Sequence, residues 1–260
     1  SPLWTGVFDF LRDLVAIVRT VVTGMLLGGL MKLTFVVAGA AFSANPMHQF
    51  LGMVGSVAAV AMGGVTISLA STNFLTVLQQ SAEGLDRIKS WPENNLVEWV
   101  AESIPFLMAV FFAVTPGMLP ILLFSGLRTN PAVVGLLVGG SLYLCFPITQ
   151  MSILESASLT TPISKPIMDS LREQFLFWCT FYIITFFLAL AVAITLSFVS
   201  FSHPTFAVVA LGIFVSFAGM LYARLLGRLV WACRPQLVNE EDEAQEDEGD
   251  KREKNFWLGR

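Results

Sequence analysis

The sequence is 260 residues long, 55% hydrophobic and only 13% charged, and it contains 22 Phe. Soluble domains usually carry about 25% charged residues, so this composition excludes an ordinary water-soluble domain and predicts an integral membrane protein. The net charge of −4 is unevenly distributed, because nine of the 19 acidic residues lie in 239–253 and the rest of the chain is mildly basic.

The first segment, residues 1–19, is amphipathic, and we predict that it lies in the cytoplasmic interface of the membrane. Asp9, Arg12, Asp13 and Arg19 interrupt its apolar residues. The segment therefore lacks the compact apolar core and the small-residue cleavage site of a secretory signal peptide. Because the sequence does not open on Met, we expect a fragment or a processed product.

Six apolar stretches follow, each long enough to cross a bilayer as a helix of about 20 residues. They are residues 20–42, 50–72, 104–126, 131–153, 175–200 and 205–231. Only helices and closed barrels satisfy the backbone in lipid, and these stretches are too long and too uniformly apolar for barrel strands. The predicted fold class is therefore all-α: an integral membrane helical bundle with six transmembrane helices in 20–234 and interfacial amphipathic helices.

The Lys and Arg residues predict the orientation of these spans. Six spans place thirteen of them on the side that holds both termini, place Arg128 alone on the other side, and leave Lys32 within the first span. Since cytoplasmic loops carry the excess of Lys and Arg, we expect both termini to be cytoplasmic.

The stretch SWPENNLVEWVAES, residues 90–103, joins the second and third spans. Ser90 and Glu93 fit a capping box with Pro92 in the first turn, so we predict that a helix begins here. Its two Trp suit headgroup depth, and Pro105 allows a bend into the third span. The pattern is typical of an interfacial anchoring helix.

Glu98 and Glu102 lie four residues apart on this segment, a spacing at which like charges repel in a helix. The arrangement is tolerable in water or beside Arg87 and Lys89. A second interpretation is that the two carboxylates line an entrance for an ion or a substrate.

A loose pattern repeats along the chain. Charged amphipathic pieces at 9–20, 94–103 and 168–175 each precede a pair of spans with a short outer joint. The pattern favours three similar hairpins, although no sequence identity links them.

The run from Asn73 to Pro120 begins with NFLTVLQQSAEGLDRIKSWPENNLVEW and ends with VTPGMLP. It resembles a family of bacterial multi-pass membrane domains of unknown function, in which a polar W/L-P-E/D…W loop joins an apolar helix to a Pro-containing helix. It is more distantly similar to the Yip-like membrane proteins. The resemblance covers about a fifth of the chain. It implies a helical bundle in the bacterial inner membrane and supplies no catalytic residues.

Lys32 is the most unusual polar residue, because it lies near the middle of the first span. A central Lys costs about 3 kcal/mol on insertion scales, so such residues usually face a bundle interior or a wet cavity. A span that began nearer the N-terminus would move Lys32 to the outer interface, but it would submerge Arg19.

Two other spans end on polar residues. Gln150 and Glu155 close the fourth span, which we interpret as a polar helix end at the cytoplasmic boundary. A partnership of either residue with Lys32 is the alternative. Gln79 and Gln80 end the second span, and we expect them to meet lipid headgroups.

Residues typical of metal and disulfide sites are sparse. His48 and His203 fall in different outer loops without a carboxylate or a Cys, so no metal site is predicted. Cys145, Cys179 and Cys233 are scattered, an arrangement typical of small buried apolar residues and not of a disulfide framework. No cofactor and no nucleic-acid partner is predicted.

Intramembrane hydrolase patterns are weak. Ser141 with His203 loosely fits a Ser–His dyad, but the G-x-S-x-G elbow is absent. Gly24 and Gly28 are spaced at four, which favours close helix packing.

The acidic segment 235–260 is predicted to be a disordered cytoplasmic tail, because it combines low hydrophobicity with dense like charge. Its 239–253 portion suits a basic protein partner, and the lipid bilayer is the other expected partner.

The function predicted first is a non-enzymatic membrane scaffold or assembly factor. The alternatives are a small transporter or channel built on Lys32 and the Pro-bent third and fourth spans, and an intramembrane enzyme. The sequence does not predict an oligomeric state.

Overall fold

The computed structural model describes residues 13–258 except 43–44, 86, 93–94, 125, 128–129 and 199–204, with side chains as far as Cys233. Within these residues every regular element is helical. The helices are α1 (Leu14–Ala41), α2 (Pro46–Ala82), α3 (Leu96–Leu123), α4 (Pro131–Ser156), α5 (Lys165–Glu173), α6 (Phe175–Phe198) and α7 (Thr205–Leu258). Six of them, namely α1 to α4, α6 and the first part of α7, are long and apolar enough to cross a membrane. The predicted all-α class with six helices of transmembrane length is confirmed.

Asparagine side chains start two of the long helices at tight joints. Asn45 Oδ1 accepts a hydrogen bond from Met47 N at 2.9 Å, and Asn130 Oδ1 accepts one from Ala132 N at 3.1 Å. Each Asn is followed by Pro in the first turn, where a helix needs no N–H from the backbone. The Asn-Pro pairs therefore explain why α2 and α4 begin so soon after the preceding helix ends.

The start of α3 differs from the sequence prediction. The expected capping box at Ser90 does not start a helix, because residues 87–92 are non-helical and α3 begins at Leu96. Asn95 caps the helix instead, since its Oδ1 accepts a hydrogen bond from Val97 N at 3.1 Å. The Glu of the predicted box lies outside the described residues.

The three predicted amphipathic pieces have different structures. The piece at 94–103 runs directly into its span, because α3 continues through Pro105 as one helix. The described part of the piece at 9–20 belongs to α1, which begins at Leu14, so the boundary expected after residue 19 lies within that helix. Only the third piece is a separate short helix, α5, which starts with Pro166 in its first turn and ends with Arg172 in its last.

The structure divides into two compact units, and each is described by itself. The first unit comprises Ser1–Met108 with Thr180–Arg228, and the second comprises Ala109–Cys179 with Leu229–Arg260. The first unit therefore contains α1, α2, the start of α3, most of α6 and the first part of α7. The second contains the rest of α3, with α4, α5, the start of α6 and the remainder of α7.

In the first unit α1 and α2 form an antiparallel hairpin. A Cβ atom added to Gly52 would lie 2.7 Å from Ala41 N at one end of the pair. At the other end, Asn73 Nδ2 donates a hydrogen bond to Thr23 Oγ1 at 3.1 Å. Gly52 thus lets the two backbones approach near the joint, and polar side chains join the helices at their far ends.

The first part of α7 packs against both helices of this hairpin. A Cβ atom on Gly28 of α1 would lie only 2.7 Å from Val209 Cα, and one on Gly212 would lie 2.5 Å from Gly28 N. Tyr222 stacks on Phe74 of α2 with ring centroids 6.2 Å apart. The close packing predicted for Gly28 is therefore present, and backbone atoms of α7 fill the space where a side chain would project.

Replacing Gly28 with Ala should destabilise the first unit, because the new methyl group meets backbone atoms that cannot move aside. Overpacking of this kind typically costs about 1–3 kcal/mol. The measurement is thermal unfolding of the purified protein in detergent. Gly39→Ala is the matched control, since a Cβ atom on Gly39 of the same helix meets nothing within 4 Å. Equal stability of the two variants would contradict the close contact.

In the second unit a serine side chain of α4 makes hydrogen bonds to the backbone of α3. Ser141 Oγ donates to Ala113 O at 2.6 Å and accepts from Gly117 N at 3.0 Å. These two backbone groups are four residues apart and would bond each other in a regular helix. Pro116 lies between them and contributes no N–H. The Ser141 hydroxyl group therefore adds two hydrogen bonds to α3 in the turn that contains Pro116.

Ser141→Ala should destabilise the second unit by about 1–3 kcal/mol, because it removes two hydrogen bonds between α4 and the buried backbone of α3. Unfolding in detergent, followed by circular dichroism, measures the change. Gly140→Ala is a suitable control, since a Cβ atom there meets nothing within 4 Å. If Ser141→Ala is as stable as the parent, the inserted hydroxyl contributes nothing to the helix pair.

The backbone of residues 235–258 continues α7 as a helix as far as Leu258. The sequence predicts disorder for this acidic segment, because it combines low hydrophobicity with dense like charge. The structure thus gives this segment a helical backbone. Its disorder in water stays a prediction.

Candidate functional site

The second half of α2 is buried although it is rich in polar side chains. Its buried polar residues are Thr66, Ser68, Ser71, Thr72, Asn73, Gln80 and Ser81. The first half of α2 is mostly exposed and apolar, with Val57 and Val60 more than 70% exposed. A polar group that is removed from water needs a hydrogen-bond partner. The hydrogen bonds that these polar side chains make to other parts of the chain define the candidate site.

Arg19 of α1 is the centre of the site. Its Nη1 donates to Asn73 Oδ1 at 3.2 Å, and its Nη2 donates to Pro92 O at 2.9 Å. The guanidinium carbon lies 5.0 Å from the ring centroid of Trp91, a cation–π distance. Asn73 in turn donates to Thr23 of α1. One half-buried Arg thus joins α1, α2 and the loop that follows α2.

Gln80 binds the same loop at Lys89 and Ser90, just before the residues that Arg19 contacts. Its Oε1 accepts a hydrogen bond from Lys89 N at 2.7 Å, and its Nε2 donates to Ser90 O. Arg19 and Gln80 together therefore bond Lys89 N, Ser90 O and Pro92 O, which holds residues 89–92 in the non-helical conformation that replaces the predicted helix start. We call this arrangement the polar clamp: Arg19, Asn73 and Gln80 with the loop residues 89–92.

Two further arginines are buried in the first unit. Arg224 and Arg228 of α7 are 0% and 2% exposed. Arg224 Nη1 donates to Ser81 Oγ at 2.9 Å, and that hydroxyl donates to Val77 O. Gly227 allows the approach, because a Cβ atom on it would collide with the side chain of Ser81. The sequence counts both arginines among the cytoplasmic cations, but their side chains lie inside the protein.

The predicted candidates of the first unit do not belong to the polar clamp. Lys32 is half-buried beyond the middle of α1, within the half-buried stretch 29–33. Glu98 and Glu102 are exposed in the first turns of α3. Glu98 Oε1 accepts a hydrogen bond from Asn95 Nδ2 at 2.9 Å, so it supports the start of the helix. Roles for these three residues in transport stay predictions.

The two predicted candidates of the second unit, Gln150 and Glu155, differ in burial. Gln150 is 0% exposed, and the described residues supply neither its Oε1 nor its Nε2 with a hydrogen bond. Its side chain lies in the protein interior, and its position at the membrane boundary stays a prediction. Glu155 is exposed near the end of α4. Their partnership with Lys32, which lies in the other unit, stays a prediction.

The residues considered for metal binding and catalysis form no site in the described part of the chain. Within it, no group of three His, Cys, Asp or Glu side chains converges on a metal-sized position. His203 lies outside the described residues. Ser141, the candidate nucleophile, both donates to and accepts from the backbone of α3. The three cysteines are free, and Cys233 is buried.

Sequence reasoning did not identify the polar clamp. It predicts Gln80 among lipid headgroups, whereas the side chain is buried against the following loop. A signal was present, because Asn73 and Gln80 are seven residues apart and therefore lie on one face of α2.

Comparison of the chain with protein-family models, curated proteins and solved structures found no match.

Gln80→Ala should release the loop, because Lys89 N and Ser90 O lose their partners. Losing a buried hydrogen bond weakens local structure by about 1–3 kcal/mol, which should speed exchange of the Lys89 amide hydrogen by roughly tenfold or more. Hydrogen–deuterium exchange in nanodiscs measures this directly. Gln79→Ala, at the exposed neighbouring position, should leave the exchange unchanged. Unaltered exchange in Gln80→Ala would remove this residue from the polar clamp.

Proposed function

We propose that this chain is a non-enzymatic membrane scaffold or assembly factor of the bacterial inner membrane, with both termini in the cytoplasm. The observation that carries the proposal is the polar clamp. Its polar side chains are engaged in holding one loop against α1 and α2. A scaffold needs a surface of fixed shape, and bonds between side chains and loop backbone provide one.

The surface that the polar clamp would present is the start of α3. Leu96, Val97 and Val100 are 51%, 74% and 49% exposed there, beside the exposed carboxylates Glu98 and Glu102. Apolar side chains next to charged ones on one short helical stretch suit a protein or membrane-surface partner. We call residues 95–102 the collar.

The acidic tail adds a second contact in this proposal. Its residues 239–253 carry nine carboxylates and two basic residues. Such a segment attracts a basic surface over a Debye length of about 8 Å at physiological salt. We therefore expect the partner to carry a basic patch and to contact the collar as well.

The test is site-specific photo-crosslinking in native membranes, read by mass spectrometry. A photoreactive residue at Val97 of the collar should capture one stoichiometric partner. The same residue at Val57, which is 72% exposed on the far half of α2, is the matched control. Deleting 239–260, or replacing the nine acids of 239–253 with their amides, should reduce capture at Val97 severalfold.

Capture of lipid alone at both positions would contradict the scaffold. A transporter or channel would then be the better interpretation. It would be examined by flux into liposomes with the parent protein and with Lys32→Ala, because Lys32 is a half-buried charge within a long apolar helix and lies outside the polar clamp.

A further inference from the structure

The loop that the polar clamp holds carries two exposed cations. Arg87 and Lys89 are exposed on either side of Ile88, which is buried. In the described part of the chain, neither charged group takes part in an ion pair or a hydrogen bond. The bond from Lys89 to Gln80 uses the backbone N and leaves the ammonium group at the surface. We call Arg87 and Lys89 the basic strip.

The collar carries the opposite charge in the same unit. Glu98 and Glu102 are both exposed. Glu98 accepts a hydrogen bond from the neutral amide of Asn95, and no cation among the described residues pairs with either carboxylate. The basic strip and the collar therefore leave complementary charges unneutralised on one short stretch of the chain, residues 87–102.

The two sets of charges have similar spacing. Arg87 and Lys89 are two residues apart on a non-helical backbone, so their Cα atoms lie at most about 7 Å apart. Glu98 and Glu102 are four residues apart on α3, which separates them by about 6 Å along the helix axis. Two cations can therefore face two carboxylates pairwise.

The bilayer restricts how two copies of this chain can meet. Both α2 and α3 are long and apolar enough to cross a membrane, so the stretch that joins them lies at one membrane boundary. Two copies inserted in the same orientation are related by an axis along the membrane normal. In a two-fold interface each surface meets its complement on the other copy twice. Residues 87–102 of both copies then lie at the same depth.

We propose that the basic strip of one copy binds the collar of a second copy, and the reverse, in a two-fold dimer. Exposed ion pairs are individually weak. The exposed apolar residues Leu96, Val97 and Val100 of the collar lie beside them and add buried area on contact. This proposal rests on the proposed scaffold function. It names a second copy as the partner of the collar, and the basic strip as the basic patch expected of that partner.

The experiment is energy transfer between donor-tagged and acceptor-tagged full chains in phosphatidylcholine liposomes. The strip is reversed by Arg87→Glu with Lys89→Glu, and the collar by Glu98→Lys with Glu102→Lys. Each reversal should raise the dissociation constant of the dimer about tenfold or more, because like charges then face each other. A one-to-one mixture of the two reversed proteins should restore association, since every contact between strip and collar again joins opposite charges.

A matched control separates facing contacts from general attraction between charged proteins. Lys165→Glu with Arg172→Glu changes the net charge as much as the strip reversal does, at two exposed side chains of α5. This variant should associate as the parent does. Mixed with the collar-reversed protein, it should not restore association.

A monomeric parent would overturn the proposal, and so would a dimer that both reversals leave intact. Failure of the mixture to associate would also overturn it, provided that circular dichroism shows both proteins to be helical. If the collar reversal does not fold, Arg87→Ala with Lys89→Ala takes its place, because it only truncates exposed side chains. Association of that variant at the parent level would then refute the dimer.

The photoreactive residue at Val97 distinguishes this proposal from the scaffold function. In liposomes that contain only the purified parent, it should give a product of twice the mass of the chain. A monomeric parent that captures a different protein in native membranes would keep the scaffold and overturn the second copy. Capture of lipid alone in both settings would contradict both proposals.

Discussion

The first unit depends on one guanidinium group that lies inside a helix of membrane length. Arg19 joins α2 through Asn73 and joins the loop through Pro92 O. A charge that is partly removed from water is costly unless it is hydrogen-bonded, so loss of the loop would leave this guanidinium group without one of its partners. The loop geometry then fixes where α3 starts, and that start creates the exposed collar. The shape of this loop and the start of α3 therefore depend on how one cation is accommodated.

The two units use the same kind of contact at the end of a long helix. In the first, Gln80 of α2 binds the backbone of Lys89, nine residues later in the chain. In the second, Ser152 of α4 accepts a hydrogen bond from Ser164 N at 3.1 Å. In both cases a side chain near the end of a helix binds the loop that follows it. Such bonds restrict each loop at little cost in conformational entropy, because the helix already orients the side chain.

The apolar runs predict the number and class of the helices, because lipid forces backbone hydrogen bonds to form within each helix. The start of α3 could not be predicted in the same way. Ser90 satisfies a local capping rule, but Ser90 O is bonded by Gln80, ten residues earlier, and Pro92 O by Arg19, 73 residues earlier. For the same reason the sequence predicts Arg224 to be a cytoplasmic cation, whereas its side chain is buried in the structure. Local patterns predict helices well and miss polar contacts made across long sequence separations.

The first unit is assembled from the beginning and the end of the chain, which has a consequence for biogenesis. The hydrogen bond from Arg224 to Ser81 joins residues 143 positions apart, and Gly28 meets backbone atoms of Val209. Synthesis proceeds from the N-terminus, so α1 and α2 leave the ribosome long before α7 exists. During this interval the glycine face of α1 and the polar end of α2 lack their final neighbour. A chaperone or insertase that shields this hairpin would determine how much of the newly made protein escapes proteolysis.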